Sequence, residues 1–150
     1  MKRILKNVIV IVFIAAILQY AWEYWQCGIF YIMDNEKSKQ TLLMLSATIG
    51  DINMTVILYL LLAFANKDFN WIMKRWKFKE YIIMSLYALF LSFYFEVNAL
   101  YTERWEYSEA MPLFPGTNIG FIPVIQLLIL FPVTFLISKV VLKKFRNTSI

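Results

Sequence analysis

Two carboxylates occupy places where a carboxylate is expensive. Asp51 and Glu96 stand inside long apolar stretches, and an ionisable side chain at membrane depth is costly enough to be a default functional candidate. Such groups can exchange a proton, hold a cation, or orient the polar end of a lipid-like molecule. Thr48, Asp51, Thr55 and Tyr59 follow one another at steps of 3, 4 and 4, one face of a helix. Ser85, Ser92, Glu96 and Glu103 recur at steps of 7, 4 and 7, a second stripe expected to meet the first. Gln19 and Gln126 add amides from other stretches, while Ser46, Ser85 and Ser92 read as packing bonds between helices. A serine or asparagine could join helices at less desolvation cost, so function is the favoured reading for the acids. With no His and a single Cys, Cys27, the chain has no material for structural disulfides, histidine or multi-cysteine metal sites, or His-based catalysis. No metal and no cofactor is expected, and chemistry falls to carboxylates, amides, hydroxyls or Arg.

The run EVNALYTERWEYSEAMPLFPGTNIGFIP after the third apolar stretch reads as a folded lid. Arg104 is expected to turn toward Glu96, Glu103 or an anionic ligand group, with Trp105 and Tyr107 at headgroup level. Pro112, Pro115 and Gly116 should set a turn, Pro123 should fix the entry of the last helix, and Pro132 should kink it.

These residues must be carried by membrane helices. The chain has 150 residues and is 61% hydrophobic, with a mean hydropathy of +0.61, against roughly 45 to 50% apolar usage in soluble domains. A bilayer core needs about 20 apolar residues in a helix, and four stretches qualify: about 4–24, 41–65, 81–101 and 120–142. The expectation is one all-α domain over 1–150, a multi-pass bundle of four transmembrane helices in the cell membrane. Of the 15 basic residues, only Lys37, Lys39 and Arg104 fall on the side of the first and third connections. The other twelve alternate correctly with four crossings and put both termini in the cytoplasm. The net charge of +5 is then an orientation signal, and no nucleic acid is expected. The opening segment has a basic start and an apolar middle like a secretory signal, but no small-x-small cleavage site; it is read as a retained first span.

Trp22, Tyr24, Trp25, Tyr31, Tyr101, Trp105 and Tyr107 are expected to form an outer aromatic belt, and Trp71, Trp76 and Tyr81 an inner one. Cys27 is expected outside. In the second connection, Phe69, Ile72, Met73 and Trp76 have the spacing of a short interfacial helix on anionic lipid, or belong to an ordinary basic connector. At a rise of 1.5 Å per residue, Glu96, Gln126 and Gln19 lie about 8, 9 and 10 Å below the outer rim and Asp51 about 15 Å. Polar groups from all four helices thus converge in the outer half, with no comparable set in the inner half. This predicts a polar pocket contacted by Asp51, Glu96, Arg104, Gln126, Gln19, Trp105 and Tyr107.

The segment from Glu96 to Pro132 resembles the membrane domain of lycopene-cyclase-type carotenoid enzymes. Glu96, Ala99, Trp105 and Tyr107 reproduce that family's acid, Ala, Trp and aromatic spacing, followed by Gly120, Pro123 and Pro132. Where that family places a glutamate pair, this chain has Ile125 and Gln126. A cyclase protonates a polyene and an amide cannot supply that proton, so the resemblance implies a chemically altered relative. As a whole the chain is similar to small uncharacterised bacterial four-span integral membrane proteins. Three functions follow: binding of a lipid or isoprenoid-like molecule, acid–base catalysis on such a lipid, or a small transporter subunit using Asp51 and Glu96. Expected partners are membrane lipids and a hydrophobic small molecule, with a homo-oligomer left open.

Overall fold

A computed structural model describes residues 2–33 and 36–147. It has four α-helices, α1 (Lys2–Phe30), α2 (Lys37–Ala65), α3 (Phe78–Tyr101) and α4 (Phe121–Asn147), and one 3-10 turn, Trp71–Met73. All four helices are long and apolar enough to cross a membrane. α1 runs past the expected span at both ends, α2 and α3 at their starts and α4 at its end; α2 and α3 finish at the expected residues, and α4 begins one residue late. Hydropathy marks where side chains become polar, whereas helix hydrogen bonding continues until a cap or turn interrupts it. The longest overrun, at the end of α1, brings Gln26 and Cys27 into helix, one turn on from Glu23. Gly120 lies one residue outside α4, and Pro132 stands within an uninterrupted α4.

The ends have local causes. Glu80 caps the start of α3 by accepting the Lys77 N–H at 2.6 Å. α2 and α3 both finish on a non-glycine residue in the left-handed region, Lys67 (φ 51°) and Glu103 (φ 53°). There the chain turns back on itself, with Asp68 N–H on Ala63 O and Arg104 N–H on Ala99 O.

α1 packs against α2 and α4, and α4 against α3, whereas α2 and α3 barely meet. The helices therefore form an arc in the order α2, α1, α4, α3, open between its two ends. Among the described residues, α2 and α3 are tied by Lys79 Nζ to Ala65 O (3.2 Å) and Tyr87 Oη to Met54 O (3.1 Å). Both ties lie at or below mid-helix on the side of the chain termini, which we call the terminal end. The opposite end, bearing residues 102–120, is the lid end.

The terminal half is filled by Ile11, Leu58, Tyr59, Leu62, Trp71, Ile72, Phe131 and Phe135, all essentially inaccessible. The connection 66–77 takes part in this core. Trp71 donates to Tyr59 O (3.1 Å), and Tyr59 Oη donates to Phe69 O (2.6 Å). Asn7 Nδ2 reaches Tyr59 Oη at 3.2 Å. This corrects three expectations. The segment is no amphipathic interfacial helix; Trp71 is 2% exposed and so no belt residue; and the terminal half does carry a small polar set. The spacing of Phe69, Ile72, Met73 and Trp76 describes an apolar face; the bundle covers Ile72 fully and Met73 and Trp76 in part, while Phe69 stays half exposed.

Candidate functional site

The expected stripe on α2 is buried throughout: Thr48, Asp51, Thr55 and Tyr59 all face inward. On α3, Ser92 and Glu96 are buried, while Ser85 and Glu103 are exposed; the inward face is instead Met84, Ala88, Ser92, Glu96 and Ala99. The four-residue step fits that face, and Glu103 lies beyond the end of the helix.

Gln126 of α4 is the hub. Its Nε2 lies 3.0 Å from Gln19 Oε1, 2.9 Å from Glu23 Oε1 and 2.9 Å from Asp51 Oδ2. Its carbonyl accepts Gln26 Nε2 at 3.0 Å, and the same nitrogen of Gln26 donates to Glu23 Oε1 at 2.8 Å. Trp22 Nε1 secures Gln26 Oε1 (3.1 Å), and the Cys27 thiol lies 3.6 Å from Glu23 Oε2. An amide nitrogen has two hydrogens, yet three acceptors converge on this one. Gln19 is fully buried, and its Nε2 finds no partner among the described residues.

Glu23 and Gln26 are the functional candidates that sequence reasoning missed. Ending the first span at Tyr24 placed them at the rim. The available signal was the series Gln19, Glu23, Gln26, at helical steps of 4 and 3.

Glu96, 5% exposed, holds the lid. Its Oε2 accepts the Trp105 indole N–H (3.3 Å) and the Tyr107 hydroxyl. The Tyr107 oxygen in turn accepts the Gly120 N–H (3.0 Å). Burial, and then the adjacent Glu96 carboxylate, push the Tyr107 phenol well above its ordinary range, so it serves as a donor. Tyr31 is likewise raised, by burial first and then by Glu96. Trp105 and Tyr107 are therefore turned inward, with Tyr31 edge-on to both, in place of the expected belt at headgroup level. A buried carboxylate acceptor is worth more to an indole or phenol donor than water at the rim.

The rest of the segment is pinned on several sides, as a folded lid requires. Ser108 N–H bonds Phe30 O (2.9 Å), Ile32 N–H bonds Glu106 O (2.9 Å), and Phe114 N–H bonds Ile119 O (2.7 Å). Gly116 supplies the expected turn at φ 74°. Arg104 does not reach Glu96 or Glu103. Its Nη2 donates to Ser46 Oγ on α2 at 2.9 Å, and its guanidinium stacks on Trp105 at 5.2 Å. Ser46 thus bonds the lid where a helix-to-helix contact was expected.

Under the lid lies a cavity of about 130 Å³. It is bordered by Glu23 and Gln26 of α1, Ser46, Gly50 and Asp51 of α2, Ser92 and Glu96 of α3, Gln126 of α4, and Arg104 and Trp105 of the lid. Asp51, Glu96, Arg104, Trp105 and Gln126 therefore border one cavity. Gln19 and Tyr107 stand one hydrogen bond behind it, on Gln126 and Glu96. Among the described residues, no three acidic or cysteine side chains gather closely enough to hold a metal ion. The side toward α2 and α3 is where the arc of helices is open. Cys27 borders the same cavity and is 5% exposed.

No protein-family model, curated protein or solved structure matches this chain.

Proposed function

We propose that the chain is a multi-pass protein of the cell membrane, with its lid end extracytoplasmic and both termini cytoplasmic, that binds the polar end of a lipid or isoprenoid-like molecule under the lid. The observation that carries this reading is the cavity itself, which gathers Glu23, Asp51, Glu96, Gln126 and Arg104 on an otherwise largely apolar wall, lies under the lid, and meets the apolar core at Met54 and Leu127. An apolar cavity of similar size, about 150 Å³, holds one benzene-sized molecule. The space therefore suits a headgroup or chain terminus whose remainder lies in the gap between α2 and α3. The charge asymmetry of the connections supports the orientation.

Asp51 and Glu96 bordering one cavity favour a second reading, acid–base chemistry on the bound lipid. Transport through Asp51 and Glu96 has less support, because the terminal half below the cavity is closely packed and mainly apolar, with Thr55, Tyr59, Thr134 and Ser138 as single polar groups buried in it. Trp105 and Tyr107 bond Glu96, and Pro123 lies on the cavity wall. Gln126, in the place of a glutamate, argues for binding over polyene protonation.

Mass spectrometry of lipids copurified with the wild type and with Glu96→Gln tests the proposal. A specific hydrophobic molecule should be present in the first and depleted in the second. Identical lipid profiles would sink it. Chemical conversion of the retained molecule on incubation, abolished in Asp51→Asn, would favour the catalytic reading.

A further inference from the structure

Granted a lipid-like occupant of the cavity, which this step presupposes, the unspent hydrogen-bonding groups define its headgroup. Asp51 and Glu96 are 8% and 5% exposed and both border the cavity. One oxygen of each is engaged, Asp51 Oδ2 by Gln126 and Glu96 Oε2 by Trp105 and Tyr107. Their second oxygens, Asp51 Oδ1 and Glu96 Oε1, accept from no described residue. The amide of Gln126 is short of one hydrogen for the three acceptors around it. Gln19 Nε2, set behind Gln126, is an unpartnered donor among the described residues, but the cavity wall itself is richer in acceptors than in donors and is bordered inside by three acids, Glu23, Asp51 and Glu96. Carboxylate oxygens on residues that border the cavity are best met by donors on its occupant, so the occupant that fits best brings N–H groups and positive charge.

The mouth has the opposite character. Arg104 is the sole basic residue on the cavity wall; it is exposed, and only Nη2 of its guanidinium is bonded to a side chain, Ser46. Five donors in a planar fork suit a phosphate. Below it, the open side between α2 and α3 is lined by Leu43, Ala47, Gly50, Leu91 and Phe95, and a Cβ placed on Gly50 would meet nothing within 4 Å.

We propose that the cavity takes the primary ammonium of a phosphoethanolamine headgroup between Asp51 and Glu96, with the phosphate at Arg104 and an acyl chain along the open side between α2 and α3. Ethanolamine is smaller than the benzene-sized group such a space accommodates. A trimethylammonium group has no N–H to donate, and an inward phosphate would face three acids.

Native mass spectrometry of the full chain, ejected from nanodiscs of equimolar phosphatidylethanolamine, phosphatidylcholine and phosphatidylglycerol with identical acyl chains, reads the preference directly. The wild type should retain the ethanolamine lipid about tenfold over each of the others, the size of one hydrogen bond to a charged group. Asp51→Asn and Glu96→Gln should erase most of that preference, and Arg104→Gln should lower retention of the ethanolamine lipid. Equal retention of phosphatidylcholine or phosphatidylglycerol by the wild type would overturn the headgroup assignment and leave lipid binding standing. Retention of no lipid would overturn both. The wild-type comparison decides alone, so a variant that folds poorly does not blunt it.

Discussion

Replacing Gln126 with leucine removes the hub of the polar cluster while nearly preserving side-chain volume. The amide stands within 3.0 Å of groups on two other helices, Gln19, Glu23 and Gln26 on α1 and Asp51 on α2. Its two hydrogens and one carbonyl sustain about three of these bonds at a time. Interhelical hydrogen bonds in membranes average about 0.6 kcal/mol, so the lost bonds alone come to about 2 kcal/mol. Stranding a buried acceptor costs a further 1 kcal/mol or so, while the apolar side chain returns part of this through packing. The net expectation is a destabilisation of about 2 kcal/mol, a roughly thirtyfold shift in the unfolding equilibrium. Reversible unfolding in mixed micelles, followed by helical circular dichroism, measures it. A loss below about 0.5 kcal/mol would refute the claim that Gln126 holds α1, α2 and α4 together, since a single average bond would already exceed that value.

Other outcomes follow from the lid, the orientation and the 66–77 connection. A methyl group on Gly120 would lie 2.9 Å from Met111 Sδ and 3.0 Å from the Tyr107 ring. Gly120→Ala should therefore cost about 1 kcal/mol and raise hydrogen exchange across 102–120; unchanged exchange would mean that the Tyr107 contact does not hold the lid. Buried Cys27 should resist an impermeant maleimide from either face. In a Cys27→Ser background, Glu109→Cys should label in intact cells and Lys67→Cys only after permeabilisation, and the reverse pattern overturns the orientation. Lys74 Nζ, 2.8 Å from Asp68, and then the Asn70 N–H hold the Asp68 carboxyl below its ordinary value of 3.8. That contribution is complete above pH 3.8 and is lost as the pH falls through the lower folded value. Because both side chains are partly solvated, it amounts to less than about 1 kcal/mol. Asp68→Asn at neutral pH should mimic the acid form by raising exchange in 66–77, and an unaltered exchange pattern would remove the ion pair from the account.

The spans were legible because lipid imposes its demand on every residue in turn, and twenty apolar side chains in a row leave few alternatives. The inward face of α2 was legible for a related reason: Thr48, Asp51, Thr55 and Tyr59 share one face, and a helix in lipid turns such a face away from it. Glu23 was hidden because its cost is offset by Gln26 and Gln126, the latter a partner 103 positions away, which no local window contains. The inward turn of Trp105 and Tyr107 was hidden likewise, since an amphipathic ring can satisfy its polar atom at a headgroup or on Glu96, and spacing alone does not choose. Trp71 illustrates the limit of amphipathic patterns: its neighbours describe an apolar face but not the surface that will cover it.

The unequal fastening of α2 to α3 has a mechanical consequence. Two rods clasped from Met54 and Tyr87 down to Ala65 and Lys79, with an unfilled gap above, act as tongs whose pivot lies in the rigid aromatic core. Lateral pressure in the surrounding leaflet would act on the free arms first, and the link from Arg104 to Ser46 is the strut that such squeezing or spreading must load.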